Sequence, residues 1–158
     1  MVRVVGVFRC TSAARLTSGI VRSVKSAVKP PRRHTNEGIV SHVRDGDTIE
    51  LGPIAVRLQG IAAPEVNEPG GDIATDAIRD LVLGKDLRCD RTGDRSYDRV
   101  IGVCFLEDGR DVGEIMVFQG HARDCRRFSR GRYADAEKHA RTMGHNLSQI
   151  YALPEYCE

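Results

Sequence analysis

Residues 39–65 read IVSHVRDGDTIELGPIAVRLQGIAAPE, three short strands that deliver charged groups to one place. Ile39, Val40 and Val43 make the first strand. Arg44-Asp45-Gly46-Asp47 is a turn, since Asp and Gly tolerate the positive φ of a tight hairpin. Thr48-Ile49-Glu50-Leu51 alternates and returns as the second strand. Gly52-Pro53 turns again, and Ala55 to Leu58 is the third. Gly60 to Glu65 leaves the sheet, because Pro64 has no N–H to give to a ladder.

The chemistry lies in the charges: Asp45 and Asp47 on the turn, Arg57 on a strand, Glu65 just past the sheet edge. Carboxylate oxygens bind a hard cation and orient water. A guanidinium grips phosphate oxygens in pairs. Together they suit metal-assisted attack on a phosphodiester. The competing reading is a salt-bridged surface of a β-domain.

The ordered motifs DGDT, VRL-x-GI-x-APE and, downstream, SYDRVIGVCFLEDGRDVGEIMVFQGHA resemble the staphylococcal nuclease (thermonuclease) family over most of the chain. The resemblance implies an α+β, mainly β, fold: a five-stranded OB-type barrel with three helices. It implies a nuclease that cuts phosphodiester bonds of DNA or RNA by metal-assisted water attack. Arg57 and Arg99 match arginines that stabilise charge on the phosphoryl oxygens. Glu65 matches the glutamate that orients or activates the attacking water. Asp47 and the backbone carbonyl of Ala63 match ligands of Ca²⁺. Tyr97 matches a position beside the bound nucleotide, where an aromatic face can stack. Without the resemblance, Arg99 reads as a strand-end charge and Tyr97 as a half-buried turn tyrosine.

One position departs from the pattern. Family members with calcium-dependent activity carry an acid two residues before the proline of the APE-like motif; here that residue is Ala62. Losing a carboxylate weakens a Ca²⁺ site, because affinity follows ligand charge and number. Asp45 is the candidate substitute. Two function classes therefore stand: a nuclease, supported by Asp47, Arg57, Glu65 and Arg99 at the family's spacing, and a binding module without turnover, supported by Ala62.

The chain has 158 residues and 41% hydrophobic content, which fits one soluble domain with a substantial core, and it contains no apolar run of membrane-spanning length. The net charge of +2 hides an asymmetry: residues 1–34 hold eight basic side chains and no acid, leaving −6 for the remainder. Nucleic-acid binding must then come from a local patch. Residues 1–35 read as a basic extension, a targeting segment or a nucleic-acid-binding arm, with Leu16, Ile20, Val24 and Ala27 on one helical face. Residues 36–158 read as the nuclease-like domain. A monomer is expected.

Further along, a helix is expected from Asp72 to Leu83, with Asp72 as its cap and Ile73, Ala77, Ile78, Leu81 and Val82 buried. Leu87 to Arg91 and Val100 to Leu106 read as paired strands joined by a polar loop, 92–99. A second helix runs from Asp111 to Gln119, with Ile115, Val117 and Phe118 supplying apolar surface. A third spans Ala134 to Met143, with Ala136, Ala140 and Met143 facing in. Between them, Arg123 to Arg132 carries five arginines and one acid. Arg123, Arg126, Arg127, Phe128 and Arg130 suit a single strand of DNA or RNA, pairing with phosphates and stacking bases; the alternative is a solvated charged loop.

No cysteine has CxxC spacing, so a zinc site is not expected. Cys89 and Cys104 fall on strands that should pair. A Cys125–Cys157 disulfide would pin the tail beside the arginine-rich segment. Such bonds imply export or a periplasm-like compartment, with Cys10 the thiol left over; buried, reduced cysteines in a cytoplasmic protein are the alternative.

Overall fold

The computed structural model describes residues 34–158. The helical face built on Leu16 and the free thiol of Cys10 lie outside the described residues. The elements in chain order are β1 (Thr35–Asp45), β2 (Thr48–Leu51), β3 (Ile54–Leu58), β4 (Ile61–Ala62), α1 (Gly71–Val82), β5 (Asp86–Ser96), β6 (Arg99–Phe105), α2 (Val112–Phe118), β7 (Arg123–Asp124), α3 (Arg126–Ser129) and α4 (Ala134–Thr142), with two 3₁₀ turns in the tail.

Five strands close a barrel in the order β1-β2-β3-β6-β5, the OB-type arrangement expected. The pairs are antiparallel except β3 with β6. Alternation turns Ile49, Leu51, Val56 and Leu58 into the barrel. Val40 and Val43 are three residues apart, which a regular strand would place on opposite faces. An irregularity of register between Val40 and His42 brings both inward, and both are buried. Helix α1 closes one side with Ala74, Ile78 and Val82, and α2 adds Val112, Met116 and Val117 to the same core. Asp111 caps α2, accepting from the N–H groups of Gly113 (2.8 Å) and Glu114 (3.3 Å).

Gly46 serves the first turn differently from the sequence expectation. Neither it nor its aspartate neighbours has positive φ. A Cβ at Gly46 would instead lie 2.6 Å from that of Ala63 and 2.8 Å from that of Ala74. Close approach is what requires glycine there, and it sets the turn against the segment leading to Glu65.

Several boundaries differ from expectation. After leaving the barrel, Ile61 and Ala62 pair with Asp124 and Arg123 in a separate two-stranded ladder, upstream of the proline that ends it. β5 and β6 run past the expected polar loop to a two-residue connection at Tyr97-Asp98, with a register irregularity between Arg91 and Arg95. Gly70, not Asp72, is the N-cap residue of α1; Asp72 sits in the first turn, where its charge suits the helix dipole. Ile73 and Met143 are exposed. Phe118 is exposed too, stacked on His139 at 3.9 Å. In each case a position one to three residues away took the core: Ala74 for Ile73, Met116 for Phe118, Ala140 for Met143.

Two disulfides are formed. Cys89–Cys104 joins directly paired residues of β5 and β6, and Cys125–Cys157 ties the C-terminal tail to the start of α3.

Candidate active site

The site is built on the outer face of β2, β3 and β6. Alternation that sends Ile49 and Val56 inward sends Thr48 and Arg57 outward, and these two are opposite each other in register. Arg57 in turn pairs with Ile101 of the parallel strand. Arg99, two residues earlier on β6, shares that face. Asp47 enters from the turn just before β2.

These groups form one chain of contacts. Arg57 Nη1 donates to Asp47 Oδ1 at 2.6 Å. Thr48 Oγ1 donates to the same oxygen at 3.0 Å and accepts from Arg99 Nη1 at 3.1 Å. Arg99 also donates to Ser96 Oγ at 3.1 Å. The Ala63 N–H reaches Asp47 Oδ2 at 3.4 Å, and Asp45 Oδ1 accepts from the Asp47 N–H at 3.0 Å. Burial pushes the Asp47 carboxyl up, to about 7; the Arg57 guanidinium pulls against this and the Asp45 charge adds to it. Thr48 is a site residue that strand alternation from Arg57 makes visible, although its side chain is fully buried beneath the arginines.

Arg57, Glu65, Arg99, Tyr97 and Phe128 line one cleft of about 620 Å³. Its wall also includes Tyr156, for which the sequence gives only an indirect signal: the neighbouring Cys157. The Glu65 backbone is fixed, donating to Glu68 Oε2 at 2.8 Å. A Cβ at Gly71 would fall 1.8 Å from the Glu65 carbonyl oxygen, so α1 begins in direct contact with that residue. The Glu65 carboxylate is exposed and has no ion pair or hydrogen bond among the described residues, while its charge acts on Arg57. Tyr97 is almost wholly exposed at a φ of 56°, with the Arg99 guanidinium 6.0 Å from its ring.

The arginine-rich segment divides. Arg123 is turned away from the cleft, paired with Glu137 at 3.2 Å and donating to the Tyr151 carbonyl at 3.2 Å. Arg126 is 3.9 Å from the buried Asp124, and the Arg127 guanidinium lies 5.8 Å from the Phe128 ring. Arg130 is exposed in the left-handed region, at a φ of 56°. Of this segment, only Cys125 and Phe128 line the cleft.

The donors do not fit Ca²⁺, which takes six to eight oxygen ligands. Asp47 is the one carboxylate at the centre, and a guanidinium already neutralises it. Asp45 is bonded to the turn backbone. Ala62 is buried in an apolar cluster with Cys125, Tyr151 and Cys157. No group of three or more Asp, Glu, His or Cys stands ready for a metal among the described residues.

The sequence pattern described as "Staphylococcal nuclease homologue" matches residues 55–148. The succinoglycan biosynthesis protein ExoI of Rhizobium meliloti is 30% identical over 94% of this chain and 85% of its own length. An uncharacterized endonuclease of Escherichia coli is 36% identical over 54% of this chain, which spans 58% of that protein. A second, from Haemophilus influenzae, is 31% identical over 73% of this chain and 67% of its own. With the barrel and with Arg57, Glu65 and Arg99 on a single cleft, the chain belongs to the staphylococcal nuclease homologue family.

Proposed function

We propose that this chain is a nuclease that hydrolyses phosphodiester bonds of single-stranded DNA or RNA. The observation that carries the reading is the unpaired Glu65 carboxylate on the same cleft as two guanidinium groups. Arg57 and Arg99 bind the non-bridging phosphate oxygens and the charge that develops on them. Glu65 orients water and takes its proton as oxygen attacks phosphorus in line; the opposite P–O ester bond breaks and the leaving oxygen is protonated from solvent. Asp47 and Thr48 hold the two arginines at their working separation. Tyr97 and Phe128 offer faces to bases. The family resemblance carries Ca²⁺ as cofactor; because the donors here do not fit it, the arginines carry the charge in this reading. The two disulfides support an oxidising compartment, by export or in a periplasm.

Ala62 favours a second reading, a module that binds nucleic acid without cutting it. Cleavage of labelled single-stranded DNA and RNA separates the two, with Ca²⁺, Mg²⁺, Mn²⁺ or chelator added. Glu65→Ala and Arg57→Ala run in parallel. The nuclease reading expects cutting that both substitutions abolish. Binding by folded protein without cutting under any condition selects the module.

A further inference from the structure

The last turn of the chain brings a tyrosine to the cleft. Residues Glu155–Cys157 form a 3₁₀ turn whose Cys157 is bonded to Cys125, at the start of α3. The bond leaves Tyr156 facing the cleft, its hydroxyl 3.4 Å from Arg57 Nη2. The Phe128 ring is 6.4 Å away and tilted by 54°. Both residues are about half exposed, at 50% for Tyr156 and 45% for Phe128. An exposed aromatic ring usually finds cover in the fold; these two have a covalent clamp beside them and keep a face open to the cleft. Of the seven aromatic residues described, three (Tyr97, Phe128 and Tyr156) line this one cleft. Their charged neighbours there are Arg57, Arg95 and Arg99, with Glu65 and Asp94.

We propose that Tyr156 is a substrate-binding residue: its ring, cornered with Phe128, forms a stacking subsite for the base of the nucleotide whose phosphate sits on Arg57. The assignment rests on reading the cleft as a nucleic-acid site. The chemistry is that of single-strand recognition, in which a cation holds the phosphate and an aromatic face holds the base with little regard to its identity. The tyrosine hydroxyl touching Arg57 sets the ring within one nucleotide of the phosphate. The Cys125–Cys157 bond supplies preorganisation, since the ring needs no ordering when the strand arrives.

The test measures binding of a fluorescein-labelled single-stranded hexathymidylate, and of the same strand made abasic at each position in turn. Tyr156→Ala and Tyr156→Phe are compared with the parent, all carrying Glu65→Gln so that the strand stays whole; cleavage by the unsubstituted protein is measured alongside. Tyr156→Ala should raise Kd about tenfold, the size of one base-stacking contact, and Tyr156→Phe should not. At one abasic position the parent should lose the same factor and Tyr156→Ala should lose nothing more. Equal weakening by Tyr156→Ala on intact and on every abasic strand would overturn the subsite, since Tyr156 would then act through Arg57 or the fold. Unchanged binding by Tyr156→Ala would also overturn it, and cleavage by the unsubstituted protein would leave the nuclease reading standing. Binding without cleavage would defeat the nuclease reading while the abasic comparison still decides the subsite. A protein that neither binds nor cuts defeats both.

Discussion

At the scale of single residues, Thr48 holds the site together although it reaches no substrate. Its hydroxyl gives its proton to Asp47 and accepts one from Arg99, so one oxygen spans the two halves of the cationic pair. Thr48→Val keeps the shape and removes both bonds. Stability should fall by about 1–3 kcal/mol, the range for leaving buried groups unpaired, read as a lower urea midpoint at unchanged slope. Cleavage should fall mainly in kcat, because the arginines would still bind phosphate but out of position. A substitution that lowered neither would remove Thr48 from the site. Asp47 makes a prediction with a sign. Its folded pKa, about 7, lies above the ordinary 3.8, so between those values the folded state holds a proton that the unfolded state has released. The stability it contributes is full below about 4 and is lost as pH rises through 7. Asp47→Asn cannot titrate. The stability difference, wild type minus Asp47→Asn, should therefore shrink as pH rises from 5 to 8. A difference that is flat or grows with pH would mean that Arg57, and not burial, governs this carboxyl.

At the scale of elements, the turn between β1 and β2 couples barrel to site by packing. Gly46→Ala adds one methyl group where Ala63 and Ala74 leave no room. The expected loss is about 1–3 kcal/mol, as for overpacking elsewhere, with activity falling as well because the shift falls between Asp47 and the Glu65 segment. Urea denaturation and the cleavage rate check both. A stable, active variant would show that the turn yields without cost. This element also shows how far the sequence could be read. The turn is visible in Asp-Gly-Asp, yet the reason for its glycine is not, because contact with a helix residue 28 positions later leaves no local trace. The strands were legible from alternation, and alternation also predicts that Thr48, Arg57 and Arg99 share a face. The extension of β5 through Thr92 to Ser96 was hidden because its residues are polar and solvent-facing, and only the partner strand's hydrogen bonds make them a strand. Helical periodicity points Ile73, Phe118 and Met143 inward, but these apolar residues lie near helix ends beyond the reach of the core.

At the scale of the whole molecule, charge works against the proposed substrate. Residues 35–158 carry a net −6, so the average field repels a polyanion and affinity must be local. The structure narrows which arginines can supply it. Sequence composition made Arg123 equivalent to its neighbours in the arginine-rich segment; the fold spends it on Glu137 and on the Tyr151 carbonyl. Nothing in the local sequence distinguishes these roles, because Glu137 and Tyr151 are 14 and 28 residues away. Salt dependence separates them. Each phosphate neutralised on a single strand adds about 0.7 to the slope of log affinity against log salt. Arg57→Ala and Arg99→Ala should each flatten that slope, together by about 0.7 for a short strand because both sit on one phosphate, with weaker binding at low salt. Arg123→Ala should leave the slope as it was and instead lower the melting temperature, since the buried Glu137 carboxylate keeps only Arg141, at 3.0 Å, and the Tyr151 carbonyl loses its donor. The opposite pattern, a flatter slope for Arg123→Ala and none for Arg57→Ala, would move the phosphate path off the cleft and onto the α3 side of the molecule. In that event Arg57 would be a partner of Asp47 alone, and the ion pair between them a support for the barrel.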